Sequence, residues 1–198
     1  MKNTKLMALM IAALFWGSAY CNEVYIEQVG SGSTINITQE GSDNSVGTSI
    51  TPAFVGGGTN TVNVDQIGSN NTLLMLVNGP GAAATVTTNG SGNTQEIACG
   101  SVISAGCSAS TITQTITGDN NNIMQDLGAG ANHTSNITVT GDTNNVTHTS
   151  TSAGASNVDI TVSGNTNTIG VTQSGTVLQT VSVNSTGNNN NISIVQSD

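Results

Sequence analysis

The stretch STINITQEGSDN, residues 33–44, decides the fold of this chain. Its side chains alternate with a period of two, as in a β-strand with two different faces, and it ends in Gly41-Ser-Asp-Asn44. Glycine permits a positive φ and Asn tolerates left-handed geometry, so this ending predicts a tight turn. A similar stretch, NTVNVDQIGSNN, occupies residues 60–71. The chain therefore repeats a strand followed by a turn.

The Gly-x-x-Asn turn recurs seven times. Its glycines are Gly41, Gly68, Gly90, Gly118, Gly141, Gly164 and Gly187, and its asparagines are Asn44, Asn71, Asn93, Asn121, Asn144, Asn167 and Asn190. The steps between successive glycines are 27, 22, 28, 23, 23 and 23 residues, which gives a basic period of 23. We expect the two longer steps to hold insertions near residues 51–58 and 98–108, which are rich in turn formers. A half unit that begins at Asn22 precedes the first repeat.

The positions of the acidic side chains indicate which strand face is interior. Burial of an unpaired carboxylate is very costly, so acids should avoid the inner face. Asp198 is the one acid on the inward parity, and three others lie inside the turns. The remaining seven fall on the opposite parity: Glu23, Glu27, Glu40, Asp65, Glu96, Asp126 and Asp159.

Each unit of 23 residues contains two strands that share one inner face, and this pattern predicts an all-β protein. The expected fold is a β-solenoid of about seven strand-turn-strand repeats with amyloid-like cross-β pairing. Its core is thin, which suits a chain with 3% aromatic residues. Inward amides can bond to the same residue type about 4.8 Å away in the next repeat. We expect such self-assembling ladders at Gln28, Gln39, Asn44, Gln66, Asn71, Asn93, Asn121, Asn144, Asn167, Gln173, Asn190 and Gln196.

The composition excludes several classes of protein. Only 7% of the 198 residues are charged, against roughly 25% in ordinary globular proteins, so a conventional fold is not expected. The formal net charge is −9, and the only basic side chains, apart from two histidines, are Lys2 and Lys5. Nucleic acid is not an expected partner, because phosphate binding needs clustered Lys or Arg.

The N-terminus resembles a secretory signal peptide, predicted to span residues 1–21. Two lysines precede the apolar run Leu6–Trp16, and small residues follow at Ala19 and Cys21. The run is too short for a membrane anchor, which needs about 20 apolar residues, and a lipid-anchored Cys21 is the less favoured alternative. Cleavage after Cys21 would leave residues 22–198 with a net charge of −11, since all eleven acids and no Lys or Arg would remain.

Cys99 and Cys107, eight residues apart, predict a local disulfide in an exported protein. Two thiols without nearby His or Cys partners do not make a zinc site, and one carboxylate per turn at Asp119 and Asp142 is a thin ligand set for calcium. His133 and His148 have no serine or carboxylate partner that the sequence marks, so catalysis is not expected.

Residues 33–44 and 60–71 resemble the curlin repeat, in which Ser or Asn is followed after five residues by Gln-x-Gly-x-x-Asn. The second arm of that repeat places Gln six residues after Asn, as in Asn167–Gln173 and Asn190–Gln196. The resemblance covers residues 22–198. It implies a secreted bacterial subunit of curli, the functional amyloid fibres, or fimbriae, that build biofilm matrix and mediate cell adhesion. No catalysis, cofactor or metal is implied.

The resemblance also implies partners: other copies of the chain, a nucleator subunit and an outer-membrane secretion pore. The repeat begins directly at Asn22, which leaves the export route open. Two other functions remain as alternatives. Thr-x-Thr pairs on the outward parity, such as Thr111-Ile-Thr113, would suit a monomeric solenoid that binds ice or another surface. A phage-like or pilus-like adhesin is the second.

Overall fold

The structure is a computed structural model that describes residues 21–100, 106–128 and 130–198. The predicted signal peptide lies, apart from Cys21, outside the described residues. All the strands belong to two parallel sheets. Sheet B contains seven strands: β3 (Thr34–Ser42), β6 (Thr61–Ser69), β8 (Ala83–Asn89), β10 (Thr111–Thr117), β12 (Thr134–Thr140), β14 (Ser156–Ser163) and β16 (Gln179–Thr186).

Sheet A contains the ten other strands. They are β1 (Glu23–Val24), β2 (Ile26–Val29), β4 (Ser45–Val46), β5 (Ala53–Gly56), β7 (Thr72–Asn78), β9 (Thr94–Cys99), β11 (Asn122–Leu127), β13 (Asn145–Ser150), β15 (Thr168–Ser174) and β17 (Asn191–Ser197). The pairs β1–β2 and β4–β5 each occupy one level, so sheet A has eight levels and sheet B has seven.

The chain alternates between the two sheets and winds into a parallel solenoid. A Gly-x-x-Asn turn joins each strand of sheet B to the next strand of sheet A, and we call this pair of strands a rung. Thr111, Thr134, Asn157 and Thr180 are successive partners at intervals of 23 residues. The predicted all-β solenoid with about seven turns is therefore confirmed. No helix among the described residues is long and apolar enough to cross a membrane.

The core lies between the sheets and consists of the predicted inward rows. Ile116, Val139 and Val162 are stacked partners in sheet B, and each is at most 1% exposed. The strands bury alternate residues, because successive side chains point to opposite faces. At the two ends, the equivalent residues are only partly buried, since no further rung covers them: Ile26, Ile35 and Ile37 at one end, and Ile192 and Ile194 at the other.

The first insertion lies earlier than predicted. The extra residues are 47–52, whereas residues 53–56 of the expected insertion form β5, which pairs with β2 and β7. Ala53 and Val55 point inward and are fully buried. The glycine after them suggests a turn in the sequence, but a Cβ on Gly56 would lie 2.6 Å from the Asn78 side chain. Gly56 thus serves close packing inside the sheet.

The second insertion leaves sheet A after β9. Cys99, the last residue of β9, is bonded to Cys107, and both are fully buried. Residues 101–105 of this predicted insertion lie outside the described residues. The disulfide closes the excursion at its base, which lets β10 resume the register of sheet B.

Candidate functional site

The seven turn glycines form one stacked column. Their φ angles lie between 103° and 149°, a region that L side chains rarely adopt. A Cβ on any of the first six would lie 1.9–2.2 Å from the carbonyl oxygen of the next glycine in the column. In the Gly-x-x-Asn turn, the residue with a left-handed φ is the one before the asparagine and not the asparagine itself. Asn120 and Thr143, for example, have φ of 57° and 59°. The turns can therefore stack at the spacing of the strands.

The asparagines after the turns form a continuous ladder, which is buried from Asn44 to Asn167. Each Oδ1 accepts the backbone N–H of the next asparagine at 2.9–3.1 Å. In the five contacts from Asn44 to Asn167 it also accepts the next Nδ2, at 3.0–3.1 Å. From Asn44 to Asn144, each Nδ2 donates to a turn glycine carbonyl of the next rung at 2.7–2.9 Å. The ladder joins all the predicted asparagines: Asn44, Asn71, Asn93, Asn121, Asn144, Asn167 and Asn190.

Asn22 begins the same ladder, although it was not among the predicted ladder residues. Its Oδ1 accepts the backbone N–H of Asn44 at 3.0 Å, and its Nδ2 reaches the carbonyl oxygen of Gly41 at 3.4 Å. The sequence signal was its place in the half unit, 22 residues before Asn44. The ladder therefore runs from the first described strand to the last.

The predicted glutamines form two contacts and not a full ladder. Gln39 Nε2 donates to Gln66 Oε1 at 2.9 Å, and Gln173 Nε2 donates to Gln196 Oε1 at 3.1 Å. Gln28 is exposed and is paired in register with Val55. The column of Gln28 continues through Val55, Val77, Cys99, Leu127 and Ser150 before it reaches Gln173 and Gln196.

A second ladder, which sequence reasoning missed, runs through the residue after the turn glycine. The backbone N–H of Ser91 donates to Asp119 Oδ1 at 2.7 Å, and that of Asp119 donates to Asp142 Oδ1 at 2.9 Å. Asn165 and Asn188 continue the series at 2.8 and 2.7 Å. Here each N–H donates toward the next rung, opposite to the asparagine ladder. The 23-residue spacing of these acceptors could have indicated this ladder from the sequence. Asp119 and Asp142 therefore act as acceptors of backbone hydrogen bonds in the turns.

Both histidines are buried in the core beside serines. His148 Nδ1 lies 2.9 Å from Ser135 Oγ, and its Nε2 lies 3.3 Å from Gln173 Oε1. Because an amide oxygen only accepts, His148 Nε2 carries the proton and Nδ1 accepts from Ser135. His133 Nδ1 accepts the backbone N–H of Ser156 at 3.2 Å and lies 2.7 Å from its Oγ. The signal for this pair was the 23-residue step from His133 to Ser156.

The histidine sites favour the neutral imidazole. Burial lowers the pKa of His148 to about 4, against a smaller opposite effect of the Gln173 hydrogen bond. Burial also lowers the pKa of His133. Both side chains have 0% exposure, so no substrate reaches either pair. Among the described residues, no group of three His, Cys, Asp or Glu side chains could hold a metal ion.

The two ends of sheet A present matching side chains. Following the strand registers, Val24 and Ile192 lie in one inward column, and Gln28 and Gln196 lie in another. Ile26 and Ile194 occupy the position between them, and Asn22 and Asn190 are the first and last members of the asparagine ladder. Within the described chain, Asn190 Oδ1 accepts no hydrogen bond from a further rung.

Comparison with known proteins supports the resemblance. The family model described as the curlin associated repeat matches residues 20–46, which include the half unit, the first strand of sheet B and the first turn. This match confirms the predicted resemblance to the curlin family for that part of the chain. No curated protein and no solved structure matches the chain.

Proposed function

We propose that this chain is a secreted structural subunit that polymerises head to tail into curli-like functional amyloid fibres. The observation that carries the proposal is the match between the ends of sheet A. If β17 of one copy pairs with β1 and β2 of the next, Asn190 meets Asn22, and Gln196 meets Gln28. The two remaining inward contacts are Ile192 with Val24 and Ile194 with Ile26. Every inward column would continue with a residue of its own kind.

The hydrogen-bonding groups at the ends support this junction. An open strand edge carries unpaired N–H and C=O groups that template the addition of another strand. Asn190 Oδ1 can accept from Nδ2 of Asn22 in the next copy and from its main-chain nitrogen, which is an α-amino group once residues 1–21 are removed. Every other Oδ1 in the ladder likewise accepts from the next main-chain nitrogen. The partly buried isoleucines of sheet A, Ile26 at one end and Ile192 and Ile194 at the other, would become fully buried. Assembly thus uses the contacts that already hold the rungs together.

The unequal strand numbers determine which sheet carries the junction. Sheet A has eight levels and sheet B has seven, so pairing of β17 with β1 and β2 leaves sheet B one strand short at each junction. Continuity therefore lies in sheet A, and the break in sheet B makes the junction weaker than an internal rung. We expect fibres to dissociate at these positions before single subunits unfold.

The cellular role follows from the resemblance and the curlin-associated repeat. The proposed signal peptide, residues 1–21, directs export, and the fibres form biofilm matrix and mediate adhesion outside a bacterial cell. A nucleator subunit and an outer-membrane pore are proposed partners. Beyond Lys5 the chain has no Lys or Arg, so copies repel one another electrostatically, and fibre growth should accelerate as salt rises.

The ice-binding alternative gains no support from the outward face of sheet B. A flat threonine array needs unbroken columns of the same residue. The outward column of Thr38, Thr87 and Thr115 is interrupted by Asp65, and the neighbouring column by Asp159. A regular threonine lattice is therefore absent from this described sheet.

Two matched substitutions in β17 test the proposal. Ile194→Asp puts a carboxylate on the inward row of the last rung, where the junction would bury it, whereas Val195→Asp puts the same group on the outward row, which is 74% exposed. We expect seeded elongation, followed by light scattering and electron microscopy, to slow at least ~100-fold for Ile194→Asp, since burial of an unpaired carboxylate costs several kcal/mol. Val195→Asp should elongate like the unmodified chain.

Circular dichroism of the monomers provides the folding control. Both variants should keep the β spectrum and the thermal midpoint of the unmodified chain, because the last rung is only partly buried in the monomer. Elongation of Ile194→Asp at the unmodified rate would refute the stacked junction. Absence of cross-β diffraction from aged unmodified protein would refute polymerisation altogether.

A further inference from the structure

A groove on the outer surface of sheet A differs from the rest of the outward face. Its floor is formed by Phe54 of β5 and by Leu74 and Leu76 of β7, and Pro52 of the 47–52 loop forms one wall. The cavity has a volume of about 310 Å³. In later rungs, the same outward columns carry mainly small or polar residues, and Met124 and Val195 are single large apolar residues on separate rungs. Among the described rungs, Leu74 and Leu76 are thus the one pair of large apolar side chains that lie side by side in these two columns.

Two carboxylates line the groove at different levels of the sheet. Glu27 lies in β2, one level before Phe54, and Glu96 lies in β9, one level after Leu74. They are three levels apart, which corresponds to about 14 Å along the solenoid axis. Both side chains are exposed, and neither has a basic partner, because the chain has no Lys or Arg after Lys5. The groove therefore combines an apolar floor with uncompensated negative charge.

The charge and the volume together specify the occupant. A second copy of the chain would bring a surface with further acids and no Lys or Arg, so its approach would be repelled. A volume of about 310 Å³ lies at the lower end of small-molecule pockets and is too small for a folded partner. We propose that this groove binds a small organic cation with an extended apolar body, which packs on Leu74 and Leu76 and places its positive group beside a glutamate.

This site is independent of fibre formation. The groove lies on the outward parity of sheet A, whereas the proposed junction uses the inward columns and the strand edges. A fibre would therefore carry one open groove per subunit along its side. Loss of polymerisation and loss of ligand binding can be distinguished, since each is measured on its own variant.

The test uses 4-phenylbutylamine as the probe and isothermal titration calorimetry of the monomeric chain as the assay. We expect saturable binding of one amine per chain, and binding of 4-phenylbutyrate at least about tenfold weaker, because its carboxylate faces Glu27 and Glu96. Leu76→Thr, which introduces a residue common on this face, should weaken the amine about fivefold or more through lost apolar contact. Glu96→Gln should weaken the amine and reduce the effect of salt on its affinity.

Val195→Thr is the matched control, because Val195 continues the outward column of Leu76 at the far end of the solenoid. It should leave the affinity unchanged, and all variants should keep the β spectrum, since their substitutions lie on the outward face. Equal affinity for the amine and the carboxylate would overturn the proposal. Unchanged amine affinity in Leu76→Thr, or no saturable binding up to about 10 mM amine, would do so as well.

Discussion

Lowering the pH from 7 to 5 should destabilise the monomer through its buried histidines. His148 has a pKa of about 4 in the folded chain and 6.5 in the unfolded chain, because burial disfavours the charged ring. Between these values the unfolded chain binds the extra proton, so stability falls as the pH falls. Protonation would also put a hydrogen on Nδ1, which accepts from Ser135 in the neutral state. Ser135 Oγ already accepts from Gln125 Nε2 at 2.8 Å, so its own hydrogen would lose its acceptor.

The size of the effect follows from the two pKa values. At pH 5 the difference in proton binding at His148 lowers the free energy of unfolding by about 2 kcal/mol, and below pH 4 the loss approaches about 3 kcal/mol. The lowered pKa of His133 acts in the same direction. Hydrogen bonds from the Thr176 backbone lower the pKa of the Asp198 carboxyl, whose contribution is lost only below its ordinary value of 3.8. A comparison of pH 7 with pH 5 therefore isolates the histidines.

Guanidinium unfolding, followed by far-ultraviolet circular dichroism at protein concentrations below the assembly threshold, measures the effect. The control is the double variant His148→Val, His133→Ser, because Val171 and Ser156 occupy the same columns in the next rung. Its free energy of unfolding should change by less than about 0.5 kcal/mol between the two pH values. Equal stability of the unmodified chain at pH 7 and pH 5, or a persistent loss in the double variant, would refute the reasoning.

Three further variants test the ladder, the disulfide and the turn. Asn121→Ala removes four side-chain hydrogen bonds to neighbouring rungs and should lower the free energy of unfolding by about 4 kcal/mol. Its exposed neighbour is the control, because Asn122→Ala should cost under about 0.5 kcal/mol in the same denaturation assay. Similar costs for both would contradict a structural ladder. Cys99→Ala with Cys107→Ala should cost about 2.5 kcal/mol from the lost loop closure. Dithiothreitol should destabilise only the unmodified chain, and an equal effect on the double variant would be inconsistent with the disulfide. Thr143→Asn should stabilise the fold by roughly 1 kcal/mol and so raise the thermal midpoint, because Asn tolerates the left-handed φ of 59° better than a β-branched residue. A lower midpoint would contradict that conformation.

The fold was predictable from the sequence because one short pattern recurs with a nearly constant period. The seven turn glycines and the asparagines three residues later mark where each rung turns, and period-two alternation separates the inner from the outer face. Those two signals determine the strand register, and the asparagine ladder follows from it. Local spacing was sufficient because each rung contacts mainly its neighbours.

Features that depend on three-dimensional contacts between different columns were not predictable in this way. Residues 53–56 look like an insertion because of their glycine, and only pairing with β2 and β7 identifies them as a strand. Gln28 fits the repeat, yet the same register places Val55 beside it. The contact between Ser135 and His148 joins strands from opposite sheets, so no sequence interval indicates it.

The constant 23-residue spacing of the last rungs means that whole rungs could be added or removed without a change in strand register. From Gly118 to Gly187 successive turns are 23 residues apart, and each strand residue is paired with the residue 23 positions later. Deleting residues 141–163 would join Thr140 to Gly164 and shorten the rod by one rung, about 4.8 Å, with each column closing on an equivalent position. Tandem duplication of the same segment would lengthen it by as much. The cross-section of the rod is therefore constrained by packing, whereas its contour length is open to change by gain or loss of whole units.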